Sequence, residues 1–253
     1  MSAQKNADKD SAPQTVKALL ALRERILSGA LRPGERISEL SAVESLHVSR
    51  TPVRAALARL EEEGLLEAIP SGGYCVRTFS ETDIFDAIEV RGVLEGAAAR
   101  MAAERGATPA RMVPIKDCVA TLDDLVRRPE FGVDGFSNYV RLNARFHASL
   151  LQLAGSPALS RLLERAFASP FASPSSFVMA QSVLPESRAI LTIAQEHHRA
   201  VVDAIQNREG ARAEAIMREH SRLAHRNLQL ALRDHESFAL VPGAALIRRS
   251  ENV

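Results

Sequence analysis

Residues 46–57 read Leu46-His47-Val48-Ser49-Arg50-Thr51-Pro52-Val53-Arg54-Ala55-Ala56-Leu57, and the chain continues Arg59-Leu60-Glu61-Glu62-Glu63-Gly64-Leu65-Leu66. Ser49 is a residue type that caps helices, and Pro52 is tolerated in a first turn, so a helix is predicted from Ser49 through Leu60. Helical spacing puts Val53, Ala56, Leu57 and Leu60 on one apolar face and gathers Arg50, Thr51, Arg54, Ala55 and Ala58 on another. The first face is built to pack. The second is small and cationic, as a helix entering a DNA major groove must be, because Arg pairs with guanine or neutralises phosphate while small neighbours let the backbone approach. Spacing alone leaves a solvated surface helix with ordinary Arg residues as the alternative.

Upstream, Val16, Leu19, Leu20, Arg23, Ile26 and Leu27 keep helical spacing up to Gly29, with Pro33-Gly34 beyond. A second, short helix fits Ser38 to Leu46. Three helices in this length have the size of a helix-turn-helix. Downstream, Leu65–Ile69 and Tyr74–Arg77 flank Pro70-Ser71-Gly72-Gly73, which reads as two short strands around a glycine turn, a wing. The expected DNA-binding domain is 14–78, preceded by a polar, disordered arm at 1–13.

Beyond Ser80 the strand signal fades, and 82–105, 109–127, 136–154, 157–168, 186–207 and 209–234 all read as amphipathic helices. The fold class expected is mainly α: a winged helix-turn-helix joined to a helical bundle at 79–235. A loop at Ser169–Phe177 interrupts the bundle, and the tail 236–253 carries no assignable pattern. The chain has 253 residues, enough for two domains with their own cores, and its 46% apolar and 25% charged residues are those of a globular protein. No apolar run reaches transmembrane length and the start lacks a secretory segment, so no membrane and a cytoplasmic location are expected. Residues 1–77 hold eleven Lys and Arg against ten Asp and Glu. The case for DNA therefore rests on where the cations sit, not on their total. Cys75 and Cys118 form no CxxC pair, which argues against a cysteine metal site or a disulfide framework.

Several bundle helices place polar groups where leucine would be usual. On 136–154, Asn143 and His147 share the stripe of Tyr139, Leu142, Phe146 and Leu150. His198 lies within Leu191, Ala194, Val201, Val202 and Ile205, and His220 within Ile216, Met217, Leu223, Ala224 and Leu228. One inward His is more often a hydrogen-bonded core residue than a ligand. Three on separate helices suit a transition metal with open positions for an effector oxygen. His197 falls at the edge of its helix, and His225 and His235 are expected to face solvent. On 82–105, Arg91 and Glu95 interrupt Ile84, Ile88, Ala98 and Ala102, as either a structural ion pair or a receptor for an anionic effector.

Residues 46–66 closely resemble the VSRTPVREAL signature of GntR-family regulators. Asn143-Ala144-Arg145-Phe146-His147, His198–Ile205 and Met217-Arg218-Glu219-His220 resemble successive elements of the FCD effector domain, and the likeness spans 15–232. The resemblance implies a bacterial homodimeric regulator whose Ser49, Arg50, Thr51 and Arg54 face double-stranded operator DNA, with the wing turn Gly72-Gly73 near a minor groove or phosphate. In the family an Arg often stands where this chain has Gly72. The resemblance also implies a divalent metal held by Asn143, His147, His198 and His220, with zinc expected and nickel or another transition metal as alternatives. A small carboxylate effector would sit at that metal, with Arg91, Tyr139 and Asn143. Residues 86–96 and the 169–171 loop further resemble vanillate-responsive repressors, which suggests vanillate or a hydroxycinnamate; citrate-like and folate-type acids are the alternatives. A metal-dependent hydrolase or lyase is the rival class, with Glu95 as its acid or base. That rival gives the helix-turn-helix no role, and the chain has no HExxH, HD or GxSxG motif.

Overall fold

The computed structural model describes residues 3–128 and 131–248, and it divides into two compact units, one of 1–82 with 242–253 and one of 83–241. Helix α1 (Ala3–Leu27), strand β1 (Arg36–Ile37), helices α2 (Glu39–Leu46) and α3 (Arg50–Glu62), and strands β2 (Leu66–Ala68) and β3 (Tyr74–Val76) make the first unit. Ser38 starts α2 with a reciprocal cap: its Oγ accepts from Ser41 N at 3.0 Å while its own N–H donates to Ser41 Oγ at 3.2 Å. Ser49 occupies the N-cap position of α3 but makes no side-chain capping bond. Ala18, Leu22 and Ile26 of α1 are buried, as are Val53, Ala56, Leu57 and Leu60 of α3, and the two helices pack on each other. Arg23 closes this packing with a 2.5 Å ion pair to the buried Glu63.

The sheet order is β1-β3-β2, all antiparallel, with Arg36 opposite Cys75 and Glu67 opposite Cys75 from the other side. Sequence reading found β2 and β3 but not β1, whose two residues are too short to show alternation. At the wing turn Gly73 has φ +82°, and a Cβ there would stand 2.9 Å from the Ile37 carbonyl oxygen, so only glycine fits against β1.

One expectation is corrected. The stretch read as a disordered arm through residue 13 is drawn as part of α1 from Ala3 onward; residues 1 and 2 lie outside the described residues. The tail, which the sequence left unassigned, divides between the two units. Its first part forms α10 (His235–Ala239) in the second unit; residues 242–248 return to the first, where Phe79 N–H donates to Leu246 O and Arg248 N–H to Phe79 O, both at 2.8 Å. Leu246 is fully buried there. Residues 249–253 of the tail lie outside the described residues.

The second unit is helical: α4 (Glu81–Arg105), α5 (Pro109–Arg127), α6 (Gly132–Ala154), α7 (Pro157–Ala168), a 3-10 helix (Met179–Val183), α8 (Ser187–Gln206), α9 (Gly210–Arg233) and α10. Thr108 and Ser156 cap α5 and α7, each followed by a Pro whose missing N–H costs nothing in a first turn. The core runs through Ala98 and Ala102 of α4, Ile115 and Leu122 of α5, Phe146 and Leu150 of α6, Val201 of α8 and Met217 of α9. Helices α4 and α9 approach closely over glycines: a Cβ on Gly92 would collide with Ser221 Oγ, and one on Gly96 would stand 2.8 Å from Arg218 Cγ. That approach seals Arg91 and Glu95 beneath α9.

Candidate functional site

Three helices deliver one imidazole each to the same point. His147 of α6, His198 of α8 and His220 of α9 are buried, and each offers a ligand nitrogen within 4.8 Å of the other two. His198 Nε2 and His220 Nε2 are 3.3 Å apart. Two nitrogens bound tetrahedrally at the usual zinc distance stand about 3.3–3.4 Å from one another, so this separation suits a shared ion. The Phe146 ring, centred 4.0 Å from that of His198, packs against it from the apolar side.

The tautomer of His198 follows from its neighbour. Gln195 Nε2 donates to Val119 O at 2.9 Å and to Asp123 Oδ1 at 2.8 Å, so its Oε1 is the acceptor that faces His198 Nδ1 at 3.0 Å. The proton is then on Nδ1, and the Nε2 lone pair faces His220. Burial, with His147 and His197 nearby, holds His198 well below the usual histidine range. Burial, with His198, His147, Arg91 and His197, does the same to His220. Neutral imidazole is the form that ligates a metal. His147 turns Nδ1 toward Glu95 Oε1 at 2.5 Å, and its Nε2 has no hydrogen-bond partner.

Asn143, buried on the same face of α6, donates from Nδ2 to Ser175 Oγ at 3.0 Å and to Pro174 O at 3.4 Å. Its Oδ1 is buried without a partner. A buried carbonyl and buried ring nitrogens left unbonded each cost about 1–3 kcal/mol, and a divalent metal would satisfy them together. His147, His198 and His220 are the residues that would hold it, with the unbonded Asn143 Oδ1, one turn before His147 on α6, as the candidate oxygen donor. When bound, it would supply a Lewis-acid position for an anionic oxygen.

Arg91 and Glu95 are each 2% exposed, with Nε and Oε2 3.5 Å apart. Arg91 Nη2 donates to Ser221 O at 3.2 Å, while Nε and Nη1 have no hydrogen-bond partner. Burial pushes the Glu95 carboxyl up, but His147 and Arg91 outweigh it and hold the group below its ordinary value. Arg91 thus keeps donor capacity that its ion pair does not use. It faces a small cavity of about 30 Å³ bounded also by Tyr139, Asn143, His220, Gln181 and Asn227, with Ile190, Leu191 and Ala194 as its apolar side. Burial raises the Tyr139 phenol, which stays protonated.

The expected DNA-facing residues are placed as the helical wheel predicts: Ser49, Arg50, Thr51, Arg54 and Ala55 are exposed on one side of α3, and Gly72 is exposed at the wing tip with Gly73 half-buried. Arg54 is held in a paired contact by Glu39 of α2, with Nε to Oε1 at 3.0 Å and Nη2 to Oε2 at 3.2 Å. Arg36 Nη2 donates to Ser71 Oγ at 2.7 Å, which sets a cation beside the wing turn.

The cavity joins Arg91, Tyr139, Asn143 and His220, and His147 and His198 complete the histidine cluster. Sequence reading missed Gln195 and the proximity of Glu95 to His147, and Gln181 and Asn227 were not singled out at all. Gln195 lies one turn before His198 and could have been found by the i,i+3 rule; Gln181 sits in a 3-10 turn that periodicity does not detect. His225 is corrected: it is half-buried against the Phe85 ring, with Nε2 3.2 Å from Phe85 O, whereas His235 is exposed.

The chain thus combines a winged helix-turn-helix unit with a helical unit that encloses a His cluster and an arginine-lined cavity. The model of bacterial regulatory proteins of the gntR family matches residues 14–76 and that of the FCD domain matches 86–223. The chain belongs to the FCD-containing gntR regulators, a family of regulatory proteins and not of enzymes. It is 36% identical over 123 residues to the Nta operon transcriptional regulator of Aminobacter aminovorans, a match covering 49% of this chain and 55% of that one. Thus the chain spans little more than half the length of that relative. It is 29% identical over 195 residues to a probable D-xylose utilization operon transcriptional repressor of Paenarthrobacter nicotinovorans, covering 77% and 80%. Among solved structures, Escherichia coli McbR/YncC superposes with a TM-score of 0.56 at 19% identity, over 87% of this chain and 97% of that one. Lar of Listeria monocytogenes superposes at 0.53 with 20% identity, over 84% and 96%. Both share the fold. Among the described residues no helix is long and apolar enough to cross a membrane.

Proposed function

We propose that this chain is a homodimeric repressor that binds a two-fold operator through α3 and the wing, and is released by a small carboxylate held between a divalent metal and Arg91. The observation that carries this reading is Arg91: a buried guanidinium with two nitrogens lacking hydrogen bonds, facing the same cavity as His220 and Asn143. A carboxylate supplies the acceptors it lacks. Ser49, Arg50, Thr51 and Arg54 take the DNA contacts, Gly72 and Gly73 bring the wing turn close to the backbone, and Tyr139 and Asn143 line the effector site. Zinc fits three neutral imidazoles, and nickel suits the same donors. A cavity of about 30 Å³ has room for about two waters, so vanillate, a hydroxycinnamate or a folate-type acid would enter only by displacing its wall. That restriction favours shorter acids.

The test is fluorescence anisotropy of the zinc-loaded full chain on DNA from upstream of its own gene, over a salt series, with and without carboxylic acids of two to nine carbons. Tight binding that weakens with salt and is released by an acid is expected, and Arg91→Ala should bind the DNA equally well but no longer respond. DNA binding that none of these acids alters would overturn the effector half of the proposal. Failure to bind that DNA in any condition would exclude that upstream region as the operator.

A further inference from the structure

The 3-10 helix at 179–183 packs on α6, α8, α9 and α10 and presents Gln181 to the cavity. Gln181 is 0% exposed, and neither its Nε2 nor its Oε1 has a hydrogen-bond partner. Asn227 of α9, 7% exposed, lines the same cavity and has an unpartnered Oδ1. The placement of Gln181 is not accidental slack in a loop. The preceding residue is anchored from behind, where Ser237 Oγ of α10 donates to Ala180 O at 2.5 Å, with Ser237 fully buried. The backbone on both sides is tied into turns by Gln181 N–H to Val178 O and Leu184 N–H to Gln181 O.

Arg91 provides for negative charge, but these two amides provide for something neutral. Gln181 offers an amide NH2 as donor and a carbonyl as acceptor; Asn227 offers an acceptor. The group that answers a donor and an acceptor at one place is a hydroxyl. From this we infer that Gln181 and Asn227 are the specificity-determining residues of the effector site, and that the effector is a short hydroxycarboxylate. In that arrangement the carboxylate meets Arg91 and the metal position, and a hydroxyl satisfies the two amides. The inference rests on the cavity being the effector site. A site built to bond a hydroxyl rejects the analogue lacking it, because the buried polar groups are then left unpaired. A plain aliphatic acid, or an aromatic ring pressed on Gln181, leaves them so. The small volume weighs further against the aromatic ring.

The test is isothermal titration of the zinc-loaded full chain with glycerate, lactate, propionate and vanillate, repeated on Gln181→Met and Asn227→Leu. Glycerate or lactate should bind about tenfold or more tighter than propionate, and either substitution should reduce that ratio toward one without weakening propionate. Thermal melts of the ligand-free proteins provide a second readout. Gln181→Met should melt at or above the wild-type temperature, since it removes two unbonded polar atoms. A fall of several degrees would show that the amide has a structural partner and would overturn the inference. So would wild-type protein that binds propionate or vanillate as tightly as the hydroxy acids, an outcome that leaves the carboxylate-effector reading standing. If none of the four acids binds, the hydroxyl assignment falls; if the acid series on operator DNA is also silent, the effector reading falls with it.

Discussion

His147 Nδ1 lies 2.5 Å from Glu95 Oε1, with both side chains buried. The contact orients the ring so that Nε2 is its free nitrogen, and a carboxylate behind a ligating imidazole raises its basicity. Glu95→Gln should lower zinc affinity by about 10- to 100-fold, measured by competition with a chromophoric chelator, with the far-ultraviolet circular dichroism unchanged.

Acid should weaken the metal-free fold in two stages. His198 and His220 are held well below the ordinary 6.5 in the folded state, so beneath that pH the unfolded chain binds more protons and stability declines. Glu95, held below the ordinary 4.5, adds stability that is lost as pH falls further. Thermal melts from pH 8 to pH 4 should show a plateau above about 6.5 and a progressive fall beneath it. A melting temperature that rises on acidification through pH 6 would contradict the neutral, buried placement of the two rings.

Arg50→Ala and Arg54→Ala should each weaken operator binding by about 10- to 100-fold at fixed salt, and a lost phosphate contact should lower the salt slope by about one. Both side chains are on the exposed face of α3, so the melting temperature should be unaffected. Glu39→Ala, which frees Arg54 from its paired contact, should change affinity through the orientation of that guanidinium and not through folding.

Leu246 is 0% exposed in the first unit, and its carbonyl accepts from Phe79 N–H. Leu246→Ala should destabilise that unit by about 2–5 kcal/mol, measured as a lower urea midpoint followed by a probe placed in the wing.

Nearly every helix was legible because its apolar residues recur at helical spacing, and Ser38, Thr108-Pro109 and Ser156-Pro157 stand at helix starts. The clustered histidines were legible for a related reason: His198 and His220 break apolar stripes, and periodicity makes the exception visible. What stayed hidden depends on contacts far apart in sequence. Nothing local links Gln181 to Asn227, or Phe79 to Ile247, or Glu39 to Arg54. Strand β1 and the return of the tail are short elements defined by their partners, and a window of one chain segment contains no trace of a partner elsewhere.

Because residues 242–248 complete the unit begun by residues 3–82, the sensor is topologically an insertion within the DNA-binding unit and not an appendage to its end. Recombination at a single joint near residue 80 would leave the N-terminal piece without Leu246 and Ile247 and hand those residues to a foreign protein. A cassette spanning 83–241, exchanged at both of its ends, keeps each core whole. Chimeric regulators made from this chain, whether by evolution or at the bench, are therefore expected to need two crossovers where a simple tandem architecture needs one.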